Sequence, residues 1–313
     1  MHAAQVPAWG SPPVYVSIPE PPSTPDTVQI KVLAAGLHRL VRSRAAGTHY
    51  SSKTLPHTPG TDGIGTLLTT GQRVYFSTFA TGGSFADIVS VPAHAVTPVP
   101  DAVDTVQAAA MVNPALSSWM ALRARMGGEA LPAGFTVLIM GATSASGGIA
   151  IEVARALGAG RVIGVARNAA KLATLGLDEA IALRDPVTET DFGTLGDVDV
   201  VLDYIYGAPA LHLFKSLKSA RPVQYVHIGS LDALEVSLPG SVLRSKNLTI
   251  RGSGPGAWSF KEMGKELPEL LKAMPAMEEQ PVKVVPLSEV EKTWGEIGGV
   301  RGESGGFRIV FVP

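Results

Sequence analysis

The chain has 313 residues, 45% of them hydrophobic and 17% charged, with a formal net charge of −1. That is enough apolar material for two domains with cores of their own, and it excludes a disordered chain. The lack of any cysteine excludes disulfides, thiolate metal sites and cysteine nucleophiles, while the balanced charge, with no basic run and 6% aromatic residues, argues against a nucleic-acid or membrane-surface partner.

The opening MHAAQVPAWGSPP carries neither a basic region nor an apolar one, and no apolar run reaches the ~18 residues of a membrane span. A cytoplasmic protein is the expectation. Val14 to Ala35 then reads as two strands around a Pro-rich loop, Pro19 to Pro25, with Val28-Gln29-Ile30-Lys31-Val32 alternating as a half-buried strand does. Gly36 to Arg44 suits a short helix, and Gly47-Thr48-His49-Tyr50 a loop. Leu55 to Leu67 is punctuated by Pro and Gly as a turn-rich entry to a strand, and further strands follow in Gly71–Phe76 and Gly82–Val91. Short strands separated by Gly/Pro turns predict a compact β-rich domain up to about residue 100.

From Asp101 the pattern turns helical. Asp104 and Gln107 are spaced as an N-cap and its return partner, Asn113-Pro114 reads as a break, and Ser117 to Met126 as a second helix. The apolar run Phe135 to Met140 is a buried strand. It ends in a turn of small residues, Gly141-Ala142-Thr143-Ser144-Ala145-Ser146-Gly147-Gly148, followed by a helix striped with Ile149, Val153 and Leu157 and stopped at Gly158. Arg161 to Val165 is the next strand. This β-α-β unit is the mononucleotide half of a doubly wound sheet. The turn must be small because a pyrophosphate sits on the first N–H groups of the helix, where the dipole favours negative charge and side chains would crowd it. The pattern Gly141-x-x-x-Ala145-x-Gly147 departs from G-x-G-x-x-G, so Ala142, Thr143, Ser144, Ala145, Ser146 and Gly147 are the cofactor candidates. An NAD site would carry an acidic residue at the end of the second strand. Arg167-Asn168 stands there with Lys171 beyond, which suits a 2′-phosphate and predicts NADPH.

Ala180–Leu183, Val198–Asp203, Pro222–Gly229 and Asn247–Gly252 complete six strands, with the clearest intervening helix at Pro209–Leu217. The tail brings a helix over Phe260–Met274 with apolar residues Met263, Leu267, Leu270, Leu271 and Met274, a capping box Ser288/Glu291 before a short helix bearing Trp294, and a last strand, Arg308–Val312. The nucleotide domain is thus expected at 117–257, inserted into a β-rich domain made of 1–116 and 258–313, with a cleft between the two.

The phrases Pro59-Gly60-Thr61-Asp62-Gly63-Ile64-Gly65, Gly71-Gln72-Arg73-Val74 and Gly83-Ser84-Phe85-Ala86, in that order before the βαβ unit, resemble the medium-chain dehydrogenase/reductase superfamily in its zinc-free quinone oxidoreductase branch, over nearly the whole chain. The resemblance implies an α/β fold: a Rossmann doubly wound parallel sheet plus an N-terminal β-rich, GroES-like catalytic domain. Zinc-dependent members carry a Cys near the position of His38 and Gly-His-Glu where Gly60-Thr61-Asp62 stands, and a four-Cys structural loop; this chain has none of them, so no metal is expected. The resemblance also implies that Tyr204 flanks the adenosine or ribose side of the cofactor, that Gly229-Ser230 and Gly254-Pro255 border the nicotinamide ribose and ring, and that the chain forms a homodimer.

Hydride transfer to an activated acceptor builds charge on a carbonyl oxygen, which a hydrogen-bond donor stabilises. Asn113, Ser117, His49 and Tyr50 are the candidates. For Asn113 the plainer role is capping a helix; for His49 and Tyr50, loop surface. Trp258 lines a pocket or packs a hinge, and His38 reads as a loop histidine. Three functions remain open on the sequence: an NADPH-dependent reductase of quinones or activated C=C bonds (enones, enals) acting on a small molecule, a zinc-free carbonyl or imine reductase, and a non-catalytic NADPH-binding protein.

Overall fold

The computed structural model describes residues 1–127, 130–297 and 307–313. In chain order the strands and helices are β1 (His2–Gln5), β2 (Val14–Ser17), β3 (Thr27–Gly36), α1 (Arg39–Ala45), β4 (Asp62–Leu67), β5 (Arg73–Ser77), β6 (Ile88–Pro92), β7 (Val96–Pro98), α2 (Thr105–Ala124), β8 (Thr136–Met140), α3 (Ala145–Ala156), β9 (Arg161–Ala166), α4 (Ala169–Leu172), β10 (Glu179–Ala182), β11 (Val200–Asp203), α5 (Gly207–Ser216), β12 (Val223–His227), α6 (Gly240–Ser245), β13 (Leu248–Gly252), α7 (Phe260–Ala273), β14 (Val282–Pro286), α8 (Val290–Glu296) and β15 (Arg308–Val312). The chain falls into two compact units, Met1–Asn113 with Leu267–Pro313, and Pro114–Glu266.

The first unit is built on a sheet ordered β14-β15-β3-β4-β5-β7, with β6 also paired to β3, and a separate β1-β2 hairpin. Its pairs are antiparallel apart from β14 and β15. The core gathers Ile30, Val32, Val74, Phe76, Phe85, Val91, Val285, Leu287 and Phe311, and the rings of Phe85 and Phe311 meet edge to face at 5.0 Å. Three of its strands, β1, β7 and β14, had no signal in the sequence. Each has three to five residues, too few for alternation to register.

The second unit is a six-stranded sheet ordered β10-β9-β8-β11-β12-β13, parallel throughout. Renumbered from its own first strand, that order is 3-2-1-4-5-6, the Rossmann arrangement. β8 lies inside the sheet, with Val137, Leu138, Ile139 and Met140 all fully buried, as an apolar run covered on both faces must be. Each such side chain contributes roughly 1.5–3 kcal/mol of burial.

Helix boundaries differ from the sequence reading in three places. Thr105–Ala124 is one helix with Pro114 inside it, not two; residues Ala108 to Leu122 are mostly buried small and apolar side chains, and packing outweighs the hydrogen bond that Pro114 lacks. Asp104 does cap α2, its Oδ1 accepting from the N–H of Val106 (2.9 Å) and Gln107 (2.8 Å). Gln107, however, does not turn back; its amide pairs with the backbone N–H and C=O of Gln280. Ser288 and Glu291 form no box, since the N-cap of α8 is Glu289 with no side-chain bond. A reciprocal box does open α7: Ser259 Oγ accepts from Glu262 N (3.1 Å) and Glu262 Oε2 accepts from Ser259 N (2.7 Å).

Candidate functional site

The small-residue turn sits where β8 hands over to α3. Gly141 has φ +91°, a conformation that only glycine adopts without strain. The side chain of Ser144 caps the helix, accepting from Gly147 N at 3.1 Å. The helix therefore begins at Ala145, so Ala145, Ser146 and Gly147 form its first turn while Ala142, Thr143 and Ser144 form the approach to it. A Cβ at Gly147 would stand 2.1 Å from Gly141 O, so helix and turn touch backbone to backbone. Ala145 is exposed and Thr143, Ser144 and Ser146 are half-buried. The first turn of α3, where the helix dipole is positive, thus carries only small side chains, which could hold a pyrophosphate.

Arg167 is exposed at the end of β9. Asn168 caps α4, its Oδ1 accepting from Lys171 N at 2.9 Å, which presents Lys171 one turn on. Both are exposed cations of the type that could hold a phosphate monoester.

The loop after β11 is held by Asp203, which is fully buried. Its carboxylate accepts from Ile205 N (2.7 Å), from Tyr206 N (3.0 Å) and from the Tyr225 hydroxyl. These bonds fix Tyr206 at φ +59°, the one non-glycine residue in that region among those described. Burial raises the Asp203 pKa against those hydrogen bonds. Tyr204 points inward, 5% exposed, its hydroxyl 3.4 Å from Ser117 Oγ. Burial pushes that hydroxyl up to about 12, so it stays protonated. Ser117 and Tyr204 are therefore brought together, with Ser117 also donating to Pro114 O at 2.6 Å. Gly229 packs on the Tyr204 backbone, where a Cβ would come within 3.2 Å of Tyr204 O. The Ser230 hydroxyl lies 3.4 Å from His227 Nε2, and the His227 ring meets Tyr206 at a tilt of 36°, centroids 4.3 Å apart. Gly254 and Pro255 lie in the loop after β13. Arg125 ties that loop at both ends through Gly252 O (2.8 Å) and Ala257 O (2.7 Å), and Trp258 Nε1 donates to Ser253 Oγ. The cofactor candidates thus follow the carboxyl ends of β8, β9, β11, β12 and β13, the edge at which open α/β sheets take ligands.

In the first unit, Asn113 joins a buried cluster that sequence reasoning missed. Its Nδ2 donates to Asp62 Oδ1 (3.1 Å) and lies 3.4 Å from Thr61 Oγ1. Asp62, 2% exposed, also accepts from Thr61 Oγ1 (2.7 Å) and Tyr75 OH (3.2 Å). Burial raises its pKa to about 6 against the pull of those donors. His38 Nε2 stands 3.9 Å from Asp62 Oδ1; burial first, then the Arg308 charge, lowers the imidazole to about 3. His38 is thus a loop histidine, the N-cap residue of α1, whose ring is buried. The only trace of this cluster in the sequence is an acidic residue opening a strand in the Pro59–Gly65 phrase. His49 and Tyr50 lie in the loop after α1, their rings 4.1 Å apart. His49 Nδ1 meets Ser51 Oγ at 2.7 Å, and Tyr50 is 76% exposed.

Asp62 spends its oxygens on three donors, and a zinc ion would need those lone pairs. Among the described residues no group of three or more His, Cys, Asp or Glu is placed to hold a metal, and no helix is long and apolar enough to cross a membrane.

No family model matches the chain. It is 36% identical to the probable NADPH-dependent quinone reductase tdiC of Emericella nidulans, with all of both chains covered. It is 30% identical to the human quinone oxidoreductase over 53% of each chain. The quinone oxidoreductase of Thermus thermophilus, whose structure was also solved in complex with NADPH, superposes with a TM-score of 0.75 at 26% identity, covering 100% of both chains.

Proposed function

We propose that this chain, which belongs to the quinone oxidoreductase-like branch of the medium-chain dehydrogenase/reductase superfamily, reduces a quinone or an activated C=C bond with NADPH and without a catalytic metal. It is an NADPH-dependent oxidoreductase. The observation that carries the reading is full-length similarity to an NADPH-dependent quinone reductase in a chain whose β8–α3 turn fits a pyrophosphate and whose β9 ends in Arg167.

NADPH, when bound, supplies the hydride. The chain's own residues do the rest. The Gly141–Gly147 turn and the α3 N-terminus seat the pyrophosphate. Arg167 and Lys171 pair with the 2′-phosphate. Gly229, Ser230, Gly254 and Pro255 border the nicotinamide side, and Tyr204, held by Ser117, fixes the floor beneath the turn. A donor among Ser117, Asn113, His49 and Tyr50 stabilises the charge left on the acceptor oxygen. Ser117, Asn113 and His49 also make hydrogen bonds within the protein, through Pro114 O, Asp62 and Ser51. The metal-free reading is supported by the donor set around Asp62. A homodimer paired along β13 is supported by that strand's place at the sheet edge with Ile250 39% exposed.

NADPH absorbance followed against a panel of quinones, enones, aldehydes and imines, with product identification, tests the reading. Hydroquinone or saturated ketone is the expected product. Alcohol or amine would replace it with a carbonyl or imine reductase, and no NADPH loss with any acceptor would leave only a binding protein.

A further inference from the structure

Between Asp26 and Asp62 the chain has no acidic residue, yet it carries Lys31, Arg39, Arg42, Arg44 and Lys53. One of these cations is interior. Arg44, in the last turn of α1, is 5% exposed, and its Nε and Nη1 are buried without a hydrogen-bond partner. Among the described residues no carboxylate pairs with it. The carbonyls that end α1 do not serve it either: Arg42 O accepts from Ala46 N, and Arg44 O from Gly47 N and Ser52 Oγ. What the guanidinium does meet is the face of Phe79, 5.0 Å from the ring centre. A second orphan stands close by. His57 has a buried, unpartnered Nε2, and its ring lies 5.8 Å from Trp9, which packs against Gly47 immediately past α1.

Buried polar groups in native folds are almost always paired, and a buried charge without a partner calls for an explanation. We propose that Arg44 and His57 form a binding site for a planar oxyanion, a carboxylate or an enolate, walled by Trp9 and Phe79 in the first unit. The guanidinium N–H groups match such an oxyanion in charge and geometry, and the imidazole supplies a further donor. The electrostatics agree: the Arg44 charge lowers the pKa of both His49 and His57 after the larger effect of burial, so the locality is positive. The site stands apart from the reading of the catalysed reaction, because its occupancy can be measured without turnover. The oxyanion is either a free carboxylate or an ionised group of the acceptor.

The test compares the whole protein with its Arg44→Met variant in thermal unfolding, with sodium benzoate against equimolar neutral benzamide at fixed ionic strength. Benzoate is expected to raise the wild-type Tm by about 2 °C or more and benzamide not to. The variant should lose the benzoate rise and, without benzoate, melt at or above the wild type, since an unpaired buried charge has been removed. No benzoate effect on the wild type, or an equal effect on both proteins, overturns the proposal. If Arg44→Met does not fold, His57→Gln takes its place, with a reduced benzoate rise expected and an undiminished one counting against the site. The source is read from kcat/KM for 2-hydroxy-1,4-naphthoquinone, an acid, relative to neutral 1,4-naphthoquinone. A ratio that falls about tenfold or more in the variant assigns the oxyanion to the acceptor, and an unmoved ratio assigns it to a free carboxylate.

Discussion

Replacing Gly147 by alanine tests the contact on which cofactor binding is proposed to rest. The added Cβ would stand 2.1 Å from Gly141 O, 2.8 Å from Gly141 C and 3.0 Å from Ala142 Cα. All three neighbours are backbone, so no rotamer change can absorb the overlap. Ordinary contact begins near 3.4 Å, so turn and helix must separate by about 1 Å. Overpacking of this kind costs about 1–3 kcal/mol, and the displacement falls on the N–H groups that would hold the pyrophosphate. NADPH affinity should therefore drop by about tenfold to a hundredfold, measured by quenching of intrinsic fluorescence, with a lower Tm. Gly148 is the control. It lies one residue further into α3, its nearest neighbour would be Ala142 O at 3.8 Å, and alanine favours a helix over glycine by about 1 kcal/mol. Gly148→Ala should bind NADPH within about twofold of wild type and melt no lower. Equal damage from both substitutions, or none from Gly147→Ala, would refute the reasoning.

Further outcomes are expected. Arg167→Ala should lose most of its preference for NADPH over NADH in initial-rate measurements; an unchanged preference removes Arg167 from the site. Asp203→Ala strands the N–H groups of Ile205 and Tyr206 and the Tyr225 hydroxyl, and should cost about 2–4 kcal/mol in chemical denaturation; a midpoint that does not move would show that the loop holds itself. Acid stability should carry the mark of two opposed interior groups. His38 has its pKa lowered from 6.5 to about 3, so the stability it contributes is present above pH 6.5 and is lost as pH falls through about 3. Asp62 is raised from 3.8 to about 6, so its contribution is present below pH 3.8 and is lost as pH rises through about 6. His38→Gln should then lose less stability than wild type between pH 6.5 and about 4, and parallel pH curves would refute this.

Much of the second unit was legible in the sequence. A buried parallel strand is a continuous apolar run, a tight turn into a helix favours small residues, and a crossover helix carries a 3.6-residue stripe; Phe135–Val165 shows all three in a row, because each is imposed by local geometry. The basic residues after β9 were readable for the same reason, since a strand end fixes where the next side chains appear. The first unit was less legible. Its shortest strands are too short to alternate, and α2 runs through Pro114 because burial outweighs one missing hydrogen bond.

What only the tertiary structure decided is which polar side chains become partners. Asp62 meets Tyr75 and Asn113, Asp203 meets Tyr225, and Tyr204 turns inward to Ser117, across 13 to 87 residues of chain. Sequence spacing carries no trace of such meetings, because strand pairing and helix packing bring these residues together and burial then compels each donor to find an acceptor. Arg44 shows the same rule from the other side. The sequence makes it one more basic residue on a short helix, and only its burial, with no carboxylate paired to it among the described residues, turns it into a question about a ligand.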